Sequence, residues 1–164
     1  MRYKISILVF FVLSLTGCAQ SSIYEAIKTY NSGSVEYILV EDLKEKLESK
    51  EKVYLLDARA KEEYKVSHFK DAIWIGYKKF EKSKVENLDK DQLVVVYCSI
   101  GVRSEQIGEK LQDLGFKNVQ NLYGGIFDWS NKGYPVYKNE METNKVHAYN
   151  KFWSKFLTKA EKIY

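Results

Sequence analysis

Strand signals alternating with helix signals predict an α/β domain: three layers, with a central parallel sheet of about five strands and helices on both faces. Two observations carry that prediction. The segments 53–57 and 93–97 are short apolar runs rich in β-branched and aromatic residues, and neither alternates with polar positions. Continuous apolar strands are those buried on both faces, which is the condition of a parallel sheet covered by helices. Between and beyond these runs lie segments of helical spacing, so the pattern is one of strand and crossover helix in turn. A third observation concerns function. Asp57 and Cys98 fall at the carboxyl ends of predicted strands, and in open α/β sheets ligands bind outside those ends.

The elements follow in order. Arg2 and Lys4 precede an apolar run from Ile5 to Leu15, and then come Leu15-Thr16-Gly17-Cys18. The run is too short to span a bilayer and reads as the core of a signal peptide over residues 1–17. Its end resembles the lipobox of bacterial lipoproteins. That resemblance implies cleavage before Cys18, lipidation of Cys18, and attachment of the mature chain to a membrane of the bacterial cell envelope. Ala19-Gln20 carries no acid, which in that group of proteins implies the outer membrane, facing the periplasm, for a host with two membranes. Residues 18–36 then read as a lipidated tether and a short helix. Ser22-Ile23-Tyr24-Glu25 matches a capping box, and Ile23, Ile27 and Tyr30 share a face, so the helix is placed over 22–30.

The main domain is expected over 37–137. Its strands are placed at 37–40, 53–57, 72–75, 93–97 and 118–121. Helices are expected from about 43 to 49, at 61–66, at 77–82 and at 103–114, with a short one after Gly124-Gly125 that runs through Trp129. From 138 to 164 the aromatic and aliphatic residues Tyr149, Phe152, Trp153, Phe156, Leu157, Ala160 and Ile163 recur at helical spacing among lysines. This predicts an amphipathic C-terminal helix. Such a helix docks on the domain, lies on a membrane surface or meets a protein partner.

Charge and cysteine content narrow the function. The formal net charge is +4, and it falls to +2 without Arg2 and Lys4. No basic face of the density that nucleic acid demands is present, so nucleic-acid binding is excluded. The chain has two cysteines. With Cys18 assigned to lipid, Cys98 is a lone thiol, with no partner for a disulfide or a zinc site. No metal-ligand spacing and no Gly-rich phosphate motif occurs, so no cofactor is expected. His68 reads as a structural hydrogen-bonder and His147 as a surface residue of the tail.

Cys98-Ser99-Ile100-Gly101-Val102-Arg103-Ser104 sits between the strongest strand and a helix on which Ile107, Leu111 and Leu114 align. A loop entering a helix N-terminus turns backbone N–H groups inward, and the helix dipole adds positive potential. Both favour a thiolate, the reactive form of cysteine. The same pattern also suits a buried strand-end cysteine before a polar turn.

The wider pattern resembles the single-domain rhodaneses. Leu56-Asp57-Ala58-Arg59, Glu63-Tyr64, His68-Phe69, Ala72-Ile73, the Cys98–Arg103 loop with Ser104, Gly115-Phe116, Gly124-Gly125-Ile126, Trp129 and Pro135 occur in family order and spacing. The resemblance implies a sulfurtransferase in which Cys98 is the catalytic nucleophile and becomes a persulfide. Ser99, Ile100, Gly101, Val102 and Arg103 would then form the substrate-binding loop, with Asp57, Arg59 and Ser104 supporting it. It implies a small sulfur donor and a thiol or cyanide acceptor as partners. Thiosulfate users of the family carry basic residues just after the cysteine, where this chain has Ser99 and Ile100. Gly108 stands where the family has alanine, and close packing is expected there. Two other readings stay open on this fold. One is a non-catalytic binding module. The other is a phosphatase or arsenate reductase, whose loop encloses one residue more than the four between Cys98 and Arg103.

Overall fold

The computed structural model describes residues 16–164, with side chains from Ile23 onward. The signal-peptide core therefore lies outside the described residues, and of Cys18 only the backbone is described. Helix α1 (Thr16–Tyr30) leads into β1 (Glu36–Ile38), α2 (Val40–Glu48), β2 (Tyr54–Asp57), α3 (Lys61–Val66) and β3 (Ile73–Trp74). Then come β4 (Val94–Tyr97), α4 (Val102–Asp113), β5 (Val119–Leu122) and α5 (Gly125–Asn131). The five strands form one parallel sheet in the order β1-β5-β4-β2-β3. Among the described residues, no helix is long and apolar enough to cross a membrane.

Alternate side chains of the sheet divide the interior into two cores. Leu55, Val95, Tyr97 and Leu122 face the side covered by α1, α2 and α5, where Ile23, Ile27, Leu43, Ile126 and Phe127 are buried with them. Leu56, Val94, Val96 and Val119 face the opposite side, against Ile107 and Leu111 of α4. Every residue of β4 is buried. The expected continuous apolar strand is thus the middle of the sheet, with β5 on one side and β2 on the other.

Three expectations need correction. First, α1 starts at Thr16, upstream of the tether and of the Ser22 cap. No Gly or Pro between 19 and 22 stops the helix there. Second, no helix forms over 77–82. Tyr77 and Phe80 turn toward the second core, and after a turn only a 3-10 segment, Lys82–Lys84, follows.

Third, the amphipathic C-terminal helix is absent. Instead β6 (Val136–Lys138) and β7 (Met141–Thr143) make a hairpin, and β8 (Lys145–His147) pairs in parallel with β9 (Glu161–Ile163) around a 3-10 turn, Trp153–Phe156. Local hydrogen bonding explains the break. Asn150 Oδ1 accepts the Trp153 N–H at 3.0 Å, so helical geometry starts only there. Asn131 of α5 ends it: its Oδ1 accepts the Thr158 N–H at 2.7 Å and its Nδ2 donates to the Phe156 carbonyl at 2.7 Å. The apolar residues of the tail are still buried, because Val146, Ala148, Phe156 and Leu157 enter the first core. The spacing marks residues that need burial, and an irregular path satisfies that need as well as a helix does.

Gly108 meets the close packing expected of it. A methyl group there would lie 2.9 and 3.0 Å from the two γ-carbons of Val35, which is fully buried. Overpacking costs about 1–3 kcal/mol, while alanine gains about 1 kcal/mol over glycine in a helix. Gly108→Ala should therefore lower stability by about 1 kcal/mol, read as a fall in the urea midpoint. A higher midpoint would show that Val35 has room to yield.

Candidate active site

Cys98 follows β4 directly and is 1% exposed. The loop from Cys98 to Gly101 is shaped by where its carbonyls go. The Cys98 carbonyl accepts the Ile126 N–H and the Ser99 carbonyl accepts the Phe127 N–H, each at 3.0 Å. These donors belong to the first turn of α5, whose N–H groups have no partner within the helix. The approach requires Gly125: a Cβ there would sit 2.4 Å from the Cys98 oxygen and 2.6 Å from the Ser99 oxygen. With carbonyls drawn outward, loop N–H groups are free to face the sulfur. Gly101 N–H donates to Cys98 Sγ at 3.2 Å, and Gly101 takes the left-handed backbone (φ 109) that allows the turn into α4.

Ser104, in the first turn of α4, shares its one hydroxyl hydrogen between two acceptors, Asn121 Oδ1 at 2.7 Å and Cys98 Sγ at 3.4 Å. Asn121 Nδ2, at the end of β5, donates to the Gly101 carbonyl at 2.8 Å, and Asn31 Nδ2 donates to the same oxygen at 3.0 Å. The loop is thus held from both sides by side chains outside it.

The thiol pKa follows from opposing causes. Burial pushes it up, but the Arg103 charge, the Ser104 hydroxyl and the amides of Ser104 and Gly101 together bring it below the ordinary thiol value. Arg103 itself is not free. Its two terminal nitrogens donate to Glu63 Oε2 at 2.7 Å and Oε1 at 2.8 Å, and one also reaches Ser99 Oγ at 2.9 Å. Its guanidinium lies 4.6 Å from the ring centre of Tyr149. Glu63 comes from α3 and is 2% exposed. Burial raises its pKa, but bidentate contact with Arg103 and the nearby Arg59 hold it below the usual carboxylate range.

Asp57 lies one residue upstream of the loop in register, being paired with Tyr97 in the sheet, and Arg59 follows just beyond the strand end. Both are fully buried. Arg59 Nη2 donates to Asp57 Oδ2 and to the Ser67 carbonyl, both at 2.6 Å, and its guanidinium lies 5.7 Å from the Tyr97 ring centre. The pair fixes the β2–α3 connection that presents Glu63. Ser99, Ile100, Val102 and Arg103 line a cleft of about 150 Å³ over Cys98, together with Tyr149 and Trp153 of the tail. Gly101 and Ser104 sit behind the sulfur instead.

His68 is structural: its Nδ1 lies 2.9 Å from the Phe69 carbonyl and its ring stacks on Tyr64. His147 is half-buried rather than a surface residue. Burial lowers its pKa, and its Nδ1 accepts the Tyr149 N–H at 3.0 Å. Sequence reasoning assigned no role to Glu63, Asn121, Gly125, Tyr149 or Trp153. A polar residue at the carboxyl end of a strand was the available signal for Asn121. Tyr149 and Trp153 had none, because their spacing is that of a helix face.

Residues 39–132 match the family model of the rhodanese-like domain. The chain therefore belongs to the rhodanese-like domain family. It is 33% identical over 102 residues to "Putative sulfur carrier protein YrkF" of Bacillus subtilis, a match covering 62% of this chain and 55% of that one. It is 38% identical over 93 residues to "Putative sulfurtransferase YtwF" of the same organism, covering 57% of this chain and 88% of that one. Among solved structures, the BH2092 protein of Bacillus halodurans superposes with a TM-score of 0.59 at 26% identity, covering 71% of this chain and 87% of that one. The chain spans little more than half of the sulfur carrier, and the tail beyond 132 lies outside the family match.

The Glu63–Arg103 pair sets a pH signature. Because the folded-state pKa of Glu63 is lowered, its contribution is full above the ordinary carboxylate pKa and is lost as pH falls through the folded value. Glu63→Gln should cost about 3–5 kcal/mol at pH 7, the range for breaking a buried pair, because Gln keeps one acceptor oxygen but sets an NH2 donor against the donors of Arg103 and its neighbours. Urea unfolding should show that gap shrinking as pH is lowered through the carboxylate range. An equal gap at neutral and acid pH would mean that the carboxylate charge contributes nothing.

Proposed function

We propose that this protein is a sulfurtransferase that carries sulfane sulfur as a persulfide on Cys98. The observation that carries the reading is the convergence of Gly101 N–H, the Ser104 hydroxyl and the Arg103 charge on a buried sulfur. A neutral thiol does not need that many donors, whereas a thiolate or a terminal persulfide sulfur does. Family membership supports it, as does the sulfurtransferase name of one relative.

The exchange has two steps. Cys98 thiolate attacks the outer sulfur of the donor, whose sulfur–sulfur bond breaks and whose electron pair leaves with the remainder of the donor. Cys98 then holds one extra sulfur, with its charge on the terminal atom. A thiolate or cyanide acceptor attacks that atom, and Cys98 returns as thiolate. The sulfur is passed on whole, one bond to it forming as another breaks, so no external oxidant or reductant is consumed. Only four residues separate Cys98 from Arg103, which leaves less room for a tetrahedral oxyanion than phosphate chemistry on this fold requires.

The same reading includes place. Leu15-Thr16-Gly17-Cys18 supports lipidation of Cys18 and attachment to a membrane of the bacterial envelope. One chain of lipid is marginal, since each buried CH₂ contributes about 0.8 kcal/mol, so more than one acyl group is expected. Mass spectrometry of the mature N-terminus should find an acylated Cys18. An unmodified Cys18 would remove the anchor.

Thiocyanate formation from cyanide and a sulfane donor should vanish in Cys98→Ser and fall by roughly tenfold in Arg103→Ala, in proportion to lost charge beside the sulfur. Intact-mass analysis of donor-treated protein should show one added sulfur atom that cyanide removes. Full activity in Cys98→Ser would place the chemistry elsewhere.

A further inference from the structure

Resting on the sulfur-transfer reading, we propose that the C-terminal segment is the specificity element of the active site. Tyr149 and Trp153 make it select donors that carry an apolar organic group beside the transferred sulfur, over small hydrated dianions such as thiosulfate.

The cleft over Cys98 has two walls. One is the loop itself, with Ile100 and Val102. The other is the tail, with Tyr149 and Trp153. The tail is firmly held in this position. Trp153 packs edge-on against Tyr30 of α1 at 6.0 Å and Phe152 at 5.2 Å, and at a tilt against Phe156 at 5.6 Å. Tyr149 occupies the left-handed backbone region (φ 65), which a bulky residue rarely adopts, and its N–H is fixed on His147 Nδ1. Such a conformation persists only where surrounding structure over-determines it. Here it delivers the ring onto the Arg103 guanidinium.

The polar side of the cleft is already satisfied. Arg103 is bound bidentately by Glu63, bonded to Ser99 and stacked by Tyr149. A dianion entering the cleft finds no unpaired cation on its walls and must leave its hydration shell against aromatic and aliphatic surface. Lys61, Lys78 and Lys79 line a second groove, on which Arg103 and Tyr149 also border. An apolar group loses nothing on entry and gains aromatic contact.

The test uses two thiosulfonates of equal charge, benzenethiosulfonate and methanethiosulfonate. In each, Cys98 thiolate takes the outer sulfur, the sulfur–sulfonyl bond breaks, and the electron pair leaves on the sulfinate. The readout is the ratio of kcat/KM for the two donors, compared between wild type and variant so that their intrinsic reactivities cancel. Trp153→Ala and Tyr149→Ala should each lower the benzene-to-methane ratio by roughly tenfold, the scale of one aromatic contact. Tyr149→Phe should retain the ratio, because it keeps the ring. Thiosulfate should remain the poorest donor for wild type. A ratio unchanged in both alanine variants, or all donors altered in equal proportion, overturns the proposal while leaving sulfur transfer intact. Failure of all three donors to add sulfur to wild-type Cys98 overturns the sulfur-transfer reading, and the specificity proposal with it.

Discussion

The arrangement at Cys98 depends on two hydrogen bonds that do not touch the sulfur. By accepting the Ile126 and Phe127 amides of α5, the carbonyls of Cys98 and Ser99 are turned away from the cleft. A peptide unit is planar, so directing a carbonyl one way directs the neighbouring N–H the other. The Ser99 and Ile100 amides, which share those two planes, are thereby turned the other way, and the Gly101 amide and the Ser104 hydroxyl further along contact the thiol. All this requires that nothing project from Gly125. Two helix N-termini thus meet at one loop: α5 fixes its carbonyls, and α4 receives the charge.

Burial and charge are set against one another at the same place. Cys98 is nearly inaccessible, which alone would keep it a thiol, yet Arg103 and the surrounding donors reverse the direction. Arg103 in turn would be a costly buried cation without Glu63. Glu63 is placed by α3, and the start of α3 is braced by Asp57 and Arg59. A chain of partnered charges therefore leads from the end of β2 to the sulfur. Supporting residues in it act by position and never reach the reacting atom.

The sheet and the Cys98 loop were legible in the sequence because both rest on local signals. Val94 to Tyr97 is apolar throughout and is buried throughout. Cys98, Gly101 and Arg103 are consecutive enough for the loop to be read directly. Glu63 and Gly125 were visible only as pieces of a pattern and Asn121 only as a polar strand end, since their roles depend on partners distant in the chain: Ser99 and Arg103 for Glu63, Cys98 and Ser99 for Gly125, and Gly101 and Ser104 for Asn121. The tail departs from the helix its spacing predicts. Its apolar spacing was real, but Asn150 and Asn131 supply side-chain partners to backbone groups and break the helix into a turn between two strands. Neither the local bond of Asn150 nor the long-range ones of Asn131 leave a periodic trace, and together they shape the segment that carries Tyr149 and Trp153 to the cleft.

Loop geometry, set by α5, brings the Cys98 pKa down despite its burial. The most direct measurement of that pKa is the rate of Cys98 alkylation against pH, in wild type and in Gly125→Ala. Wild type should show a midpoint below the free-cysteine value of about 8.5, and Gly125→Ala should move it upward as the loop carbonyls lose their anchors. A wild-type midpoint at or above the free-cysteine value, or one that Gly125→Ala leaves in place in a folded protein, would contradict the account.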